Sequence, residues 1–279
     1  MESNLKDELV STATTTIRLS FAIYVLFLGI FLIVGYYVFE LLFRKAHGAA
    51  AGGPTFIIAG PSGSGKTALF SLLRYDEKPA TLPSLEPNIS TTYRLPNLTH
   101  SSKNFVLIDT PGHPKLRHGT FETIQIALKA RTIHGILFVV DASVMSNLDK
   151  RREAAEYLYD ILCLTERITM GVDIAIAANK SELFTAMPPK QLRTTFETEM
   201  DKIRQTRSKL IGKVGLDDEK SSSEADEDIN DGANRLGLSD GSAFSLAQLE
   251  SEVVVIAGSV KTGKVEDWVA WMEERALNK

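Results

Sequence analysis

The residues best suited to chemistry form one glycine-rich stretch, Gly60 to Thr67, which reads GPSGSGKT. It matches G-x-x-x-x-G-K-[ST] and lies between an apolar run over 56–59 and a helix-like run over 68–73. This strand–loop–helix context is typical of a phosphate-binding loop. Glycines let the backbone curl so that successive N–H groups face an anion, and the start of the helix adds positive potential. The stretch therefore predicts a nucleotide site.

A second set of residues predicts a magnesium ion beside the phosphates. In a loop of this kind, Lys66 reaches the β- and γ-phosphates and the Thr67 hydroxyl ligates Mg²⁺. Asp109 opens the sequence DTPG directly after the apolar run 104–108, and such an aspartate holds Mg²⁺ through water. Gly112 has no side chain to keep its N–H from a γ-phosphate.

A third motif, Asn179-Lys180-Ser181-Glu182, predicts contacts with a guanine base. In the related pattern N-K-x-D, the acid accepts two hydrogen bonds from the guanine edge, and adenine offers no matching pair of donors. Glu182 is one methylene longer than that acid, which leaves the paired hydrogen bonds possible and makes the selectivity an open point. Ser259 lies in the sequence GSVK after the last predicted strand. This stretch is either a loop that closes over the base or a plain strand–helix turn.

Two further candidates lie in loops. The stretch TLPSL over 81–85 offers Ser84 as the hydroxyl through which γ-phosphate and Mg²⁺ would order a switch loop; Thr81 is the second choice, Thr91 and Thr92 compete, and an ordinary polar loop is the alternative. His113 follows Gly112 and is a candidate for orienting an attacking water. The alternative for His113 is a solvated loop histidine.

These motifs need a scaffold, and the apolar segments supply one. Strands and helices alternate, which predicts an α/β fold whose parallel sheet is covered on both sides. The lone cysteine, Cys163, and the Trp268/Trp271 stripe are expected in the core. The predicted strands are 55–59, 104–108, 135–140, 172–178 and 252–257, and the predicted helices are 66–74, 120–130, 149–165, 189–211 and 264–277.

The N-terminal part predicts a membrane anchor. From Leu19 to Phe39 the chain carries no charged residue, which at 1.5 Å per residue just spans a bilayer core of about 30 Å. A cleaved signal peptide and a buried core helix are the alternatives. The predicted organisation is a polar tail over 1–18, a transmembrane helix over 19–43, a linker over 44–54 and a nucleotide-binding domain over 55–279 that contains a disordered acidic insertion over 217–242.

Charge and location are consistent with this organisation. The net charge of −4 gives no indication of direct nucleic-acid binding. Because nucleoside triphosphate and Mg²⁺ are cytosolic, the domain is expected on the cytosolic side. The glycosylation sequons at Asn88, Asn97 and Asn179 would then be unused.

Taken in order, GPSGSGKT, DTPG, NKSE and GSVK resemble the small GTPases of the Ras-like P-loop fold, over residues 55–279 apart from the insertion. The TLPSL stretch resembles switch I of the Arf-like branch, in which the hydroxyl residue before a branched apolar one binds Mg²⁺; that residue is Ser84 here. With the N-terminal span, DTPGH and NKSELFTAMPP, the chain closely resembles the beta subunits of the signal recognition particle receptor in their fungal form.

This resemblance implies GTP and Mg²⁺ as cofactors, slow GTP hydrolysis with His113 in place of the usual glutamine, and a single-pass location in the endoplasmic reticulum membrane with the GTPase domain in the cytosol. It implies the receptor's alpha subunit as the partner, the lipid bilayer as the anchoring environment, and indirect contact with ribosome–nascent chain complexes. The residues that would line the nucleotide are Gly60, Pro61, Ser62, Gly63, Ser64, Gly65, Lys66, Thr67, Ala68, Thr81, Leu82, Pro83, Ser84, Gly112, Asn179, Lys180, Glu182 and Ser259, with Thr67, Ser84 and Asp109 at the metal.

Two alternatives remain at this point. The alternatives to a GTP switch that recruits the alpha subunit are an Arf-like trafficking GTPase with another effector and a non-switching docking subunit that holds GTP as a structural cofactor. The N-terminal span counts against the first alternative. A docking subunit differs from a GTP switch in its rate of GTP turnover and not in its sequence motifs.

Overall fold

The computed structural model describes residues 27–36, 53–77, 81–98, 103–166, 171–214, 236 and 243–278. The chain divides into two units, Met1–Ala49 and Ala50–Lys279. In the first unit, residues 27–36 are helical and carry exposed apolar side chains such as Phe31. None of the helices in the described ranges combines the length and the apolar character that crossing a membrane requires. The predicted span over 19–43 lies mostly outside those ranges and stays a prediction.

The second unit is built on a six-stranded sheet with the order β2-β3-β1-β4-β5-β6. Its strands are β1 (Thr55–Ala59), β2 (Asn88–Tyr93), β3 (Phe105–Asp109), β4 (Ile133–Asp141), β5 (Ile174–Asn179) and β6 (Val253–Ala257). Its helices are α1 (Lys66–Tyr75), α2 (Arg117–Lys129), α3 (Leu148–Thr165), α4 (Pro189–Val214) and α5 (Glu266–Asn278).

Helices cover both faces of this sheet, as the alternating pattern predicts. Every residue of β1, β3 and β5 is buried, which explains why these strands read as continuous apolar runs. One face packs against α2, α3 and α4, and the other packs against α1 and α5. Trp268 and Trp271 are buried in the second cluster and Cys163 in the first. The predicted α/β P-loop fold is confirmed.

One edge of the sheet departs from the predicted parallel arrangement. Strand β2 is absent from the predicted elements and pairs antiparallel with β3; β1 pairs parallel with β3 and β4, β4 with β5, and β5 with β6. Strand β2 has the sequence NISTTY, and only its Ser90 and Tyr93 are buried. An edge strand with so little apolar surface lacks the alternation by which strands are found in a sequence.

Element boundaries differ from prediction by a few residues. Helix α2 begins at Arg117 instead of 120, and α4 continues to Val214 instead of 211. Of the predicted insertion 217–242, the structure describes only Leu236, which is buried in the cluster beneath α2, α3 and α4. The predicted disorder of the other residues of the insertion lies outside the described ranges.

Candidate functional site

The sheet topology brings the predicted motifs to one edge. Strands β1 and β3 are neighbours, and the helices that follow them, α1 and α2, pack on opposite faces of the sheet. Such a switch point is where open α/β sheets bind ligands. The phosphate loop follows β1, the DTPG stretch follows β3, the NKSE stretch follows β5 and the GSVK stretch follows β6. Because these strands are parallel, all four stretches leave the same end of the sheet.

The phosphate loop has the backbone that the motif predicts. Gly60, Gly63 and Gly65 have φ values of 139°, 76° and 97°, which side-chain-bearing residues rarely adopt. A Cβ at Gly60 would lie 2.1 Å from the carbonyl oxygen of Val139 on β4. Helix α1 begins at Lys66, and Ser64 is buried just before it with a hydroxyl that has no hydrogen-bond partner among the described residues. The loop is therefore a preformed anion cradle at a helix N-terminus.

Lys66 carries the positive charge of this cradle. Its side chain is only 6% exposed, and its Nζ donates to the carbonyl oxygen of Pro61 at 2.8 Å. Burial lowers the pKa of Lys66 to about 8, while the nearby Asp109 carboxylate opposes that shift. A phosphate would give the buried ammonium a partner of opposite charge and favour its charged form.

Gly112 closes the cradle from the side of β3. A Cβ on this residue would lie 2.4 Å from Nζ of Lys66 and 2.7 Å from the backbone nitrogen of Ser62. Only a glycine allows the DTPG stretch to come so close to the phosphate loop. The predicted proximity of Gly112 to the phosphates agrees with this contact.

The three predicted metal-site oxygens lie together. The Thr67 hydroxyl donates to Oδ2 of Asp109 at 2.8 Å and lies 3.0 Å from the hydroxyl oxygen of Ser84. The competing hydroxyls of Thr81, Thr91 and Thr92 are on exposed residues. Of the four candidates, the structure therefore brings Ser84 to the phosphate loop.

These oxygens fit a magnesium ion. Mg²⁺ prefers hard oxygen ligands and binds through one or two carboxylates together with phosphates and water. Oδ1 of Asp109 is buried and has no hydrogen-bond partner among the described residues. Burial raises the pKa of Asp109, and hydrogen bonds from Asn88 and Thr67 act in the opposite direction. A cation at this position would favour the ionised carboxylate.

Asn179 ties three loops together at the predicted base site. Its Nδ2 donates to the carbonyl oxygen of Ser64 at 2.8 Å. Its Oδ1 accepts from the backbone N–H groups of Lys180 at 2.8 Å and Val260 at 3.0 Å. The phosphate loop, the NKSE stretch and the GSVK stretch are thus joined by one buried amide.

Lys180 adds a second connection. Its Nζ donates to the carbonyl oxygen of Gly63 at 3.2 Å and pairs with the carboxylate of Asp141 at the end of β4. Asp141 also accepts from the backbone N–H of Ser143 at 3.0 Å. One backbone carbonyl and one carboxylate therefore hold the Lys180 side chain beside the phosphate loop.

The remaining predicted residues are exposed, partly buried or engaged in a turn. Glu182 is exposed in the turn after β5, where its carboxylate is open to a ligand. Ser259 is buried, and its hydroxyl accepts from the backbone N–H of Thr262 at 3.1 Å, so this hydroxyl stabilises the turn. Leu82 and Pro83 are exposed, and Ala68 is partly buried.

His113 is exposed, and its ring serves a local structural purpose. The Nδ1 atom accepts a hydrogen bond from the backbone N–H of Lys115 at 3.2 Å and caps the 3₁₀ helix Pro114–Leu116. This contact agrees with the loop-histidine alternative. The catalytic role of His113 stays a prediction.

Two residues of the site were missed in the sequence. Asn88 donates to Asp109 and to Ser84, but it begins the strand that was not predicted, and only its sequon was noted. Asp141 follows an apolar strand in the same way as Asp109 does. That position at the carboxyl end of a parallel strand was an available indication.

All three sequon asparagines have internal partners. Asn88 and Asn179 use their amide nitrogens within the site. Asn97 donates through both its side chain and its backbone to Glu273, at 2.8 Å each. Each Nδ2 therefore donates a hydrogen bond within the fold, and the absence of glycosylation stays a prediction.

The chain matches known proteins in sequence. The family model described as "Signal recognition particle receptor beta subunit" matches residues 52–254. The chain is 37% identical over 223 residues to a signal recognition particle receptor subunit beta of Saccharomyces cerevisiae, covering 80% of this chain and 84% of that protein.

Two solved structures from Chaetomium thermophilum are also similar. The receptor SRb with GDP and Mg is 28% identical, with a TM-score of 0.58 and coverage of 80% of this chain and 97% of that one. The SRb-GTP/SRX complex is 26% identical, with a TM-score of 0.55 and coverage of 79% and 97%.

Proposed function

The chain belongs to the family of signal recognition particle receptor beta subunits, and from this membership we propose that it is a membrane-anchored GTP switch that recruits the receptor's alpha subunit. In this role it serves co-translational targeting of ribosome–nascent chain complexes to the endoplasmic reticulum. The Arf-like trafficking alternative has family membership against it.

The proposal of a nucleotide-dependent switch rests on one observation, the contact between Thr67 in the phosphate loop and Ser84 in the segment 81–89. Mg²⁺ held by these hydroxyls would join the nucleotide to that segment, and switch segments are ordered in this way. The same segment exposes three large apolar side chains, on Leu82, Leu85 and Ile89. A partner that binds them would be sensitive to the bound nucleotide.

The proposed cofactors are GTP and Mg²⁺. The phosphate loop with Lys66 would bind the phosphates, Thr67, Ser84 and Asp109 would hold the metal, and Asn179, Lys180 and Glu182 would contact the base. When bound, Mg²⁺ supplies charge neutralisation at the β- and γ-phosphates. The Chaetomium thermophilum relatives support this choice because they are described with GDP and Mg and with GTP.

The proposed turnover is slow. His113 is exposed and caps a short helix, so partner binding would have to bring its ring toward the nucleotide before it could orient water. The same observation favours a second candidate function, in which the chain is a docking subunit that keeps GTP bound as a structural cofactor. The two functions differ in turnover, and only the switch requires a partner that discriminates GTP from GDP.

We expect partner recruitment to depend on GTP. Full-length chain in phosphatidylcholine vesicles should float the alpha subunit's N-terminal domain at least about tenfold better with a non-hydrolysable GTP analogue than with GDP, because coupling between two binding sites is typically about 5–150-fold. Leu85→Asp should abolish that difference, because it places a charge on the exposed apolar segment. Leu277→Asp, at an exposed position in α5, is the matched control. Equal flotation with both nucleotides would favour the docking subunit.

Membrane attachment gives a second expected result. A chain without residues 1–45 should leave the membrane fraction and keep the nucleotide affinity of the full chain, because the site lies entirely within 60–259. Vesicle flotation and titration with fluorescent GTP measure the two properties. A shortened chain that still floats, or that no longer binds nucleotide, would contradict the proposed anchor and its boundary.

A further inference from the structure

The side chain of Asn88 connects the metal-site residues to the edge strand β2. Its Nδ2 donates to Oδ2 of Asp109 at 2.9 Å and to the hydroxyl oxygen of Ser84 at 3.2 Å. Both acceptors are proposed metal-site groups. The Thr67 hydroxyl also contacts both groups, but it is itself a proposed metal ligand, whereas Asn88 is not.

The chemistry of the amide limits what Asn88 can do. The NH₂ group is a donor and cannot ligate a cation through its nitrogen, so its effect is on the orientation of the oxygens it contacts. Oδ2 of Asp109 accepts from both Thr67 and Asn88, whereas Oδ1 is buried without a partner among the described residues. Two donors on one oxygen fix the carboxylate plane and leave the other oxygen for the cation or its water.

The backbone holds Asn88 in place for this contact. Asn88 is the residue opposite Asp109 in the antiparallel β2–β3 pairing, and Ile89 is opposite Ile108. Directly opposed residues in such a pair have Cβ atoms about 4.5–5.5 Å apart. The contact is therefore set by strand register, and not by a flexible loop.

We propose that Asn88 is a positioning residue for the divalent-cation site, orienting the Asp109 carboxylate and holding the Ser84 hydroxyl beside it. This inference rests on the proposed magnesium site. Partners that orient ligands in this way typically contribute 10–100-fold to metal affinity. Asn88 thereby lowers the Mg²⁺ concentration that nucleotide retention requires.

The test measures release of fluorescent GDP from the full-length chain in detergent as free Mg²⁺ is varied. Asn88→Ala should raise the Mg²⁺ concentration for half-maximal retention by about tenfold or more. Ser90→Ala is the control: Ser90 lies on the same strand and is buried, and its hydroxyl has no partner among the described residues. It should leave the Mg²⁺ midpoint unchanged.

Asn88→Asp provides a second variant of nearly the same size. It replaces the donor by a carboxylate beside Asp109, so like charges repel without metal and attract Mg²⁺ when it is present. We expect Mg²⁺ to raise the Tm of this variant more than that of the unsubstituted chain. If Asn88→Ala does not fold, this shift of Tm carries the test.

The outcomes separate the inference from the proposed function. Wild-type Mg²⁺ midpoints in Asn88→Ala, or Mg²⁺-induced Tm shifts in Asn88→Asp no larger than wild type, would overturn the positioning role. Failure of the unsubstituted chain to bind GDP, or binding that ignores Mg²⁺, would instead contradict the proposed function itself.

Discussion

Replacing Lys66 by alanine should raise the dissociation constant for GTP by about 30-fold to 4,000-fold, because truncating one partner of a buried charge pair costs roughly 2–5 kcal/mol. Lys66 is the buried cation of the phosphate loop, and burial lowers its pKa to about 8. The phosphates are expected to be its counter-charge. Equilibrium titration with fluorescent GTP measures the loss.

Lys115→Ala is the matched control for this variant. Lys115 is an exposed lysine in the 3₁₀ helix that follows Gly112, so its removal changes the net charge equally without touching the cradle. It should bind GTP as the unsubstituted chain does. Tight GTP binding by Lys66→Ala would show that this loop does not hold the phosphates.

Asn179→Ala should lower both stability and nucleotide affinity. The buried amide makes three hydrogen bonds that join the phosphate loop, the NKSE stretch and the GSVK stretch. Leaving its partners unsatisfied costs about 1–3 kcal/mol for each buried group, so a loss of several kcal/mol in the free energy of unfolding is expected. Denaturant titration without nucleotide and GTP titration measure the two effects separately.

Asn147→Ala separates these effects. Asn147 caps helix α3 by accepting from the backbone of Asp149 and Lys150, and losing such a cap costs about 1 kcal/mol. It should therefore reduce stability with no change in affinity for GTP. If Asn179→Ala retained the affinity of the unsubstituted chain, the amide would not organise the site.

The phosphate loop, with Lys66 and the Thr67 hydroxyl, was predictable because its chemistry is local. A glycine-rich turn between an apolar strand and a helix is specified by adjacent residues, and Gly60, Lys66 and Thr67 lie where the motif expects them. The parallel core followed from continuous apolar runs such as that of β4, whose central residues are fully buried. These features depend on few distant contacts.

The features that were missed depend on contacts across the sequence. Strand β2 exists because its backbone pairs with β3, and its polar residues give no periodic pattern. Asn88 becomes part of the site only through that pairing. The choice of Ser84 over Thr81 needed the position of the whole segment against Thr67.

His113 and Ser259 show that a sequence motif does not predict which way a side chain points. Both lie next to site motifs, and both engage in turns: His113 caps a 3₁₀ helix, and the Ser259 hydroxyl accepts from Thr262. A sequence pattern places such residues near a ligand without saying whether the side chain faces it. Orientation depends on the turn geometry that the neighbouring backbone imposes.

Guanine-nucleotide binding at this site can be measured directly by competition between GTP and ATP. Purified full-length chain would be equilibrated with equal concentrations of GTP and ATP and with Mg²⁺, washed and denatured, and the released nucleotide identified by chromatography. We predict guanine nucleotide in near-stoichiometric amount, with Glu182 accepting from the base. Release of adenine nucleotide, or of no nucleotide, would show that the site does not hold a guanine nucleotide.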